Sequence, residues 1–402
     1  MKNKNNTIKI LLLDGHTVQV LPIAKSLRQH GYHVTILCEE KLSYGWVSRF
    51  PNKKILSPSA FKEPALFLAF LKKHIQENKY DIVIPLFDDS AGILGEHKKV
   101  LEPYARIVIP DYDAFIHGHD KNLTMQVAKK IGVPHPKTMD LEENSLEDAV
   151  AYCGLPSLIK PNIGAGAKGI TKVETMEELK RLYPKIKEEF GASTLQAFIP
   201  SGGRQFKCQI FRDYDGSIKG ATTFVKHRYF PVTGGTTSCG EIVDIPELVE
   251  YATRVADEIN WTGFGDFDSI EDPRDGSYLL MEINTRITGS IKAGMESGVD
   301  YAQMIVEQEL GREVTEYHST PGLILRQVSL ELMWFLYSKN SERFSSKPNW
   351  FKFFGKNIKY QDGQWSDPLP MIAGLFGGLK KLINPNFRKS KMTFNNAQKS
   401  KV

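Results

Sequence analysis

No apolar run in the sequence approaches the about 18 residues that a bilayer-spanning helix needs, so a helical integral membrane protein is excluded. Cysteine is scarce, and Cys38, Cys153, Cys208 and Cys239 stand far apart. Their spacing matches neither a metal-ligand set nor the disulfide framework of a small secreted domain, and it fits a reducing compartment. Residues 1–9 are polar and run straight into a strand-like segment, without the apolar region and small-residue cleavage site of a signal peptide. A cytoplasmic location is therefore expected. Internal repeats and low-complexity tracts are also missing, which excludes a repeat array. The chain as a whole has no strong charge of one sign, since its net charge is +5. Within it, residues 339–402 carry 13 Lys/Arg against 3 Asp/Glu, whereas residues 1–338 carry 39 against 44. A global basic bias would suggest nucleic acid; a basic tail on an acidic body points to a surface anchor or partner instead.

What is present is an ordinary globular composition, 41% hydrophobic and 25% charged, over 402 residues. That length is too great for one core and suggests two or three domains. Residues 8–13, 34–38 and 81–85 read as strands, separated by helical patterns over 18–30 and 65–78. Strands alternating with helices predict a parallel, doubly wound sheet, with Asp14, Gly15, His16, Asp88 and Asp89 at the carboxyl edge where ligands bind in such folds. Turn and cap roles are the plain alternative for each. A second unit begins near His119, where Asp120-Lys121 opens a helix that ends at Gly132. Strand-like segments at 157–160, 194–199, 206–211, 222–225 and 278–283 alternate with helical stretches at 176–190 and 248–259, a mixed α+β pattern. The expected fold class is thus α/β followed by α+β. Its parts are a Rossmann-like domain over 1–118, a second domain over 119–320 and a basic, aromatic-rich extension over 321–402.

The strongest chemical signal is residues 278–290, YLLMEINTRITGS. Glu282, Asn284 and Arg286 recur at every second position, so a strand carries all three on one face. Glu and Asn are hard oxygen donors suited to Mg²⁺, and an Arg beside them suits a phosphate or a developing oxyanion. Residues 263–268, GFGDFD, supply a second strand with Asp266 and Asp268 on one face. An alternating polar hairpin at the surface is the plain reading. The second signal is LIKPNIGAGAKG at 158–169, in which a strand delivers Lys160 to a glycine-rich loop. Glycines let backbone N–H groups close on phosphate oxygens, and Lys160, with Lys168 as a second cation, supplies charge. The loop lacks the Gly-Lys-Ser/Thr of a Walker A motif. The third signal, LQAFI at 195–199, is weaker: an apolar strand end that could present backbone groups to a base edge.

Taken in order, these pieces resemble the ATP-grasp superfamily over roughly residues 8–320. The resemblance implies that Lys121 and Lys160 contact phosphates and that Gly164, Ala165, Gly166, Lys168 and Gly169 form a lid over them. Gln196, Ala197, Phe198 and Ile199 occupy the hinge that meets adenine, and Gln205 stands where the family has its ribose-binding acid. Asp268, Glu282 and Asn284 match the Mg²⁺ ligands (Mn²⁺ being the alternative ion), and Arg286 matches the Arg at the reacting phosphate. The Glu-Ile-Asn-Thr-Arg run is close to that of biotin carboxylase. Two departures, Gln196-Ala197 at a hinge that often carries an acid and Gln205 for the ribose acid, bear on the choice of nucleotide. Within the superfamily the chain looks most like the stand-alone carboxylate–amine ligases found with cell-surface polysaccharide genes. Residues 225–241, with Arg228, the glycine pair Gly234-Gly235 and the hydroxyls of Thr236, Thr237 and Ser238, resemble a movable substrate-facing segment. Asp367-Pro-Leu-Pro370 resembles a tail motif of the same group.

The implied activity is ATP-dependent amide formation from a small-molecule carboxylate and an amine through an acyl phosphate. Arg286 and Lys160 are the catalytic cations, and Arg228 is the candidate to grip the substrate carboxylate, with a structural salt bridge as its alternative. A carboxyphosphate- or carbamoyl-type enzyme and a nucleotide-binding regulator without turnover are the competing readings. No nucleic-acid partner is expected, and a homodimer is an allowed assembly. Residues 371–383 (MIAGLFGGLKKLI) and the aromatics upstream could lie on an anionic membrane surface; a core-packing helix with a basic end is the alternative.

Overall fold

The computed structural model describes residues 7–164, 168–232 and 235–383. It divides into two compact units. One takes residues up to 108, 224–243 and from 287 onward; the other takes 109–223 and 244–286.

The first unit opens with strands β1 (Lys9–Leu12), β2 (His33–Cys38), β3 (Lys53–Leu56), β4 (Ile82–Ile84) and β5 (Arg106–Ile107). They form one all-parallel sheet in the order β3-β2-β1-β4-β5. Ile10, Leu11, Leu12, Ile82, Val83 and Ile84 are all fully buried, so the central strands are covered on both faces, as unbroken apolar runs require. The helices Val20–Gln29 and Pro64–Asn78 supply parallel crossovers. At the carboxyl edge Asp14 takes a left-handed backbone (φ 55°) and is buried. Its Oδ2 accepts from the Leu86 backbone N–H at 3.0 Å and from Ser90 Oγ at 2.5 Å, tying the β1 turn to the β4 turn. Asp88 and Asp89 lie in the first turn of the helix Asp88–Leu101, where acidic groups complement the helix dipole.

The second unit begins with the helix Lys121–Ile131, capped by the Asp120 carboxylate and stopped at Gly132 (φ 67°). Strands β6 (Thr138–Asp140), β7 (Ser157–Pro161), β8 (Thr171–Val173) and β9 (Ser193–Ala197) make an antiparallel sheet in the order β6-β9-β7-β8. The helices Leu146–Cys153 and Met176–Phe190 bury one face of it, with Ile159, Val173 and Leu195 inward among Ala149, Leu179 and Ile186. Alternation then turns Lys160 and Gln196 to the opposite face.

Seven strands follow: β10 (Gln205–Arg212), β11 (Ile218–Phe230), β12 (Thr236–Val243), β13 (Gly263–Glu271), β14 (Tyr278–Asn284), β15 (Ile324–Arg326) and β16 (Ile358–Tyr360). In the second unit β13 pairs antiparallel with both β10 and β14. In the first, β15 pairs antiparallel with β12 and parallel with β16. The stretch beyond residue 321 therefore contributes strands to the first unit. Asp367, from the Asp-Pro-Leu-Pro motif, is buried and accepts from Ser48 Oγ at 2.6 Å and from the Arg49 backbone N–H at 3.3 Å.

Arg228 sits at the centre of an ion cluster in this first unit. It is 2% exposed and stacks over the Trp334 ring at 5.2 Å. Its Nε and Nη2 donate to the two Glu331 carboxylate oxygens at 2.9 and 2.6 Å, and Nη1 donates to the Pro348 carbonyl at 2.5 Å. Arg326, also 2% exposed, donates from Nε to Glu331 Oε2 at 2.9 Å and to the Trp350 and Lys352 carbonyls. Ser238 Oγ adds a bond to Glu331 at 3.0 Å. The expectation that Arg228 grips a substrate carboxylate is corrected here. The carboxylate it grips is the protein's own, and burial keeps any other from it. Gly234 of the same segment lies outside the described residues.

Candidate active site

A polar face spans the three strands β10, β13 and β14. Register sets Lys207 opposite Asp268 and Gln209 opposite Asp266 across the β10–β13 pair. Across β13–β14 it sets Asp268 opposite Glu282 and Asp266 opposite Asn284. Residues two apart share a face, so the period of two brings Lys207, Asp268 and Glu282 into one row and Gln209, Asp266 and Asn284 into the next. Asn284 Nδ2 donates to Asp268 Oδ2 at 2.9 Å and to Asp266 Oδ1 at 3.2 Å. The pairing irregularity between Asp268 and Ser269 falls at this row. The three residues expected to ligate Mg²⁺, Asp268, Glu282 and Asn284, are thus side by side, and they are hard oxygen donors that fit that ion. Arg286 lies two residues past the end of β14, half-buried. Gln205, two residues before Lys207, begins β10.

Lys207 is the member of this face that sequence reasoning did not find. Its Nζ donates to Asp266 Oδ1 at 2.8 Å and to Asp268 Oδ2 at 2.9 Å. Burial alone would push its ammonium down, but Asp266 and Asp268 outweigh that and hold it above the usual lysine range. Asp266 is fully buried and also accepts from Gln209 Nε2 at 2.8 Å. Replacing Lys207 by Met leaves two neighbouring carboxylates without this cation. The expected loss is about 3 kcal/mol of stability in EDTA, partly restored by added Mg²⁺, whose charge replaces the ammonium. Thermal melts of the variant with and without Mg²⁺ measure this; equal melting temperatures in both would remove the link between Lys207 and the cation site.

Lys160 comes from the other sheet, and Lys121 from the helix Lys121–Ile131. Lys160 and Gln196 are diagonal neighbours on β7 and β9, and Lys160 Nζ donates to Gln196 Oε1 at 3.1 Å. Lys160 is 5% exposed. Burial pushes its ammonium down to about 8, Glu282 partly offsets this, and Lys121 adds to it. A buried cation whose hydrogen-bond partner is a neutral amide fits an incoming anion. Lys121, at the first position of its helix, reaches the Gly164 carbonyl with Nζ at 2.7 Å. Gly169 has φ 74°, and a Cβ there would lie 2.7 Å from Pro161 Cγ and 2.9 Å from the Phe190 ring, so only glycine fits. Lys168 is exposed; Ala165 and Gly166 lie outside the described residues. After β9, Phe198 and Ile199 continue as half-buried coil, with Lys172 Nζ 4.5 Å over the Phe198 ring. The Ala197 N–H is taken by the Lys137 carbonyl at 2.8 Å.

The Lys160 environment sets a pH dependence. On the expectation that Lys160 contacts phosphate, a bound phosphate would raise the pKa of this lysine, so binding above about pH 8 would require proton uptake. Affinity for ADP is then expected to be full below that value and to fall by up to about tenfold per pH unit above it, until the bound-state pKa is passed. Calorimetric titration with ADP at fixed Mg²⁺ should show this slope in the wild type and lose it in Lys160→Arg. A flat profile in both would detach Lys160 from the nucleotide.

Comparison with known proteins finds likenesses in sequence and in fold. The family model described as "ATP-grasp in the biosynthetic pathway with Ter operon" matches residues 222–330. The D-aspartate ligase of Enterococcus faecium is 25% identical over 334 residues, spanning 77% of this chain and 79% of the relative. A D-alanine–D-alanine ligase of Bacteroides fragilis is 26% identical over 208 residues, 51% of this chain and only 56% of that ligase. Among solved structures, the biotin carboxylase domain of Hydrogenobacter thermophilus 2-oxoglutarate carboxylase, a dimer in complex with MgADP, ADP and bicarbonate, matches with a TM-score of 0.67. It is 18% identical, and the match covers 79% of this chain and 74% of that one. In part of its sequence and in its fold, the chain is therefore similar to proteins of the ATP-grasp superfamily.

Proposed function

We propose that this chain is an ATP-grasp ligase that joins a small-molecule carboxylate to an amine and uses ATP to activate the carboxylate as an acyl phosphate. The observation that carries this reading is the buried Lys160, neutral-partnered and under the field of Glu282, which belongs to the Asp268/Glu282/Asn284 oxygen set. Lys121, Lys160 and the glycine loop would hold the phosphates, the hinge 196–199 and Gln205 the nucleoside, and Arg286 the transferring group. Asp268, Glu282 and Asn284 would hold Mg²⁺ (or Mn²⁺), which when bound neutralises charge on the phosphate oxygens. In the first step a substrate carboxylate oxygen bonds to the γ-phosphorus while the bond to the bridging oxygen breaks, its electrons leaving with ADP. In the second the amine nitrogen bonds to the acyl carbon, the C–O bond breaks with its electrons on phosphate, and the amine loses a proton. The chain's own contribution is positioning and charge balance, because phosphoryl transfer needs little covalent help.

The finer parts of the proposal are a cell-envelope polysaccharide or its precursor as the setting, an amino acid or amine as the added group, a cytoplasmic location and a homodimer. The likeness to D-aspartate ligase supports the amino-acid substrate class, and the dimeric Hydrogenobacter domain the assembly. The alternative, a carboxyphosphate-type reaction, is favoured by the likeness of fold to that domain, solved with bicarbonate. One experiment separates them. ADP release is followed with pools of organic acids, amino acids or bicarbonate, with hydroxylamine added to trap acyl phosphates and mass spectrometry of the products. Hydroxamate formed from an organic acid, and an amide when an amine is added, support the ligase. ADP release with bicarbonate alone supports the alternative, and binding of ATP without ADP release in any pool overturns both.

A further inference from the structure

The helix Leu369–Ile383 presents two unlike sides. Gly374 faces the first unit so closely that a Cβ on it would lie 2.7 Å from the Tyr44 hydroxyl, and Met371 lies against Gly363, where an added Cβ would be 2.8 Å from its own Cβ. Leu369, Ile372 and Phe376, at i, i+3 and i+7, share another face and are exposed, Phe376 by 68%. Trp365, just before the helix, is 93% exposed. Single exposed apolar residues need no explanation, but a helical stripe of them with a tryptophan beside it marks a contact surface.

Charge decides what covers that surface. From residue 368 to 402 the sequence carries seven Lys/Arg and no acidic residue, and Lys380 and Lys381 belong to the helix itself. A second copy of the chain carries the same excess of basic residues over this stretch of sequence, and like charge disfavours self-association. An anionic lipid surface complements them, each basic residue near it adding to the attraction. Leu, Ile and Phe side chains partition readily into the acyl boundary, and tryptophan favours the headgroup level. Among the described residues no helix is long and apolar enough to cross a membrane, so the helix would lie in the plane of the interface.

We propose that Trp365 and the Leu369/Ile372/Phe376 face of this helix dock the protein on an anionic lipid bilayer. The site is remote in sequence from the candidate active-site residues, and the proposal stands whether or not the ligase reading holds. The test is cosedimentation of the full chain with phosphatidylcholine vesicles containing or lacking about 30% phosphatidylglycerol, at low and high salt. The wild type should bind the anionic vesicles at least about tenfold more tightly than the neutral ones and be released by salt. The variant Trp365→Ser/Ile372→Ser/Phe376→Ser should lose about tenfold or more of that binding while keeping its melting temperature and its ADP affinity. Quenching of tryptophan fluorescence by brominated lipid should be present in the wild type and reduced in Trp365→Phe. The inference is overturned if the full chain stays in the supernatant with anionic vesicles, or if the triple variant cosediments like the wild type. It is overturned equally if the triple substitution changes the oligomeric state measured by light scattering and leaves vesicle binding untouched.

Discussion

Glu282→Gln is expected to cut ATP turnover by at least about a thousandfold while leaving the fold intact. The substitution keeps the volume and the β14 backbone ladder and removes one negative charge. That charge is opposite Asp268 across the ladder, where the proposed Mg²⁺ would be held. It also offsets the effect of burial on Lys160, so its loss drives that lysine further toward the neutral form. Two contributions to phosphate charge balance thus fall together, which is why the effect should exceed that of any single lysine. Circular dichroism melts should be close to wild type, because Glu282 is half-buried and β14 is held by backbone pairing. Turnover within tenfold of wild type, at saturating Mg²⁺, would sink the assignment of this carboxylate.

The second large effect is expected on stability. Glu331→Gln removes the one carboxylate shared by Arg228 and Arg326, both fully enclosed in the first unit. Gln can accept from one guanidinium but neutralises neither, so two buried cations remain without a counter-charge from this position, held by the carbonyls of Pro348, Trp350 and Lys352 and by ring contacts. A loss of about 3–5 kcal/mol follows, lowering the melting temperature by about 6–20 °C. Removing all three charges with Arg228→Met/Arg326→Met/Glu331→Leu should recover much of it, since a buried ion cluster is replaced more cheaply than it is broken. A single Glu331→Gln variant that melts like the wild type would show that solvent reaches the cluster.

These two residues also mark what was legible in the sequence. Glu282 and Asn284 were readable because strand period alone puts them on one face, and their partner Asp268 lies in the neighbouring strand of a short hairpin. The helix from Lys121 was readable from its ends, an Asp cap and a Gly stop, both local chemistry. Lys207 was not, because its meaning comes from carboxylates 59 and 61 residues away that only the β10–β13 register brings to it. Arg228 was read from its neighbours, a glycine pair and three hydroxyls, as facing substrate. Its partner lies 103 residues on, and no local pattern announces it. Distance in sequence also hid β12: its run of Thr, Ser and Gly looks like a loop until β15 pairs with it. The two lysines of β3 belong to an edge strand, where charge discourages pairing with another chain, and they masked its strand character.

The discontinuity of the first unit has a consequence in time. Ribosomes deliver about 5–20 residues per second, so Arg228 emerges on the order of 5–20 s before Glu331 exists to neutralise it. The five parallel strands can assemble early, and the 244–286 segment completes the second unit before the last stretch of the first has been made. During that interval β12 has no β15 beside it, and Arg228 is a charge waiting in water for its counterion. Completion of the first unit thus waits for the segment that carries β15 and Glu331, and translational pauses before Glu331 would lengthen the window in which an unpaired strand edge is open to chaperones or to other nascent chains.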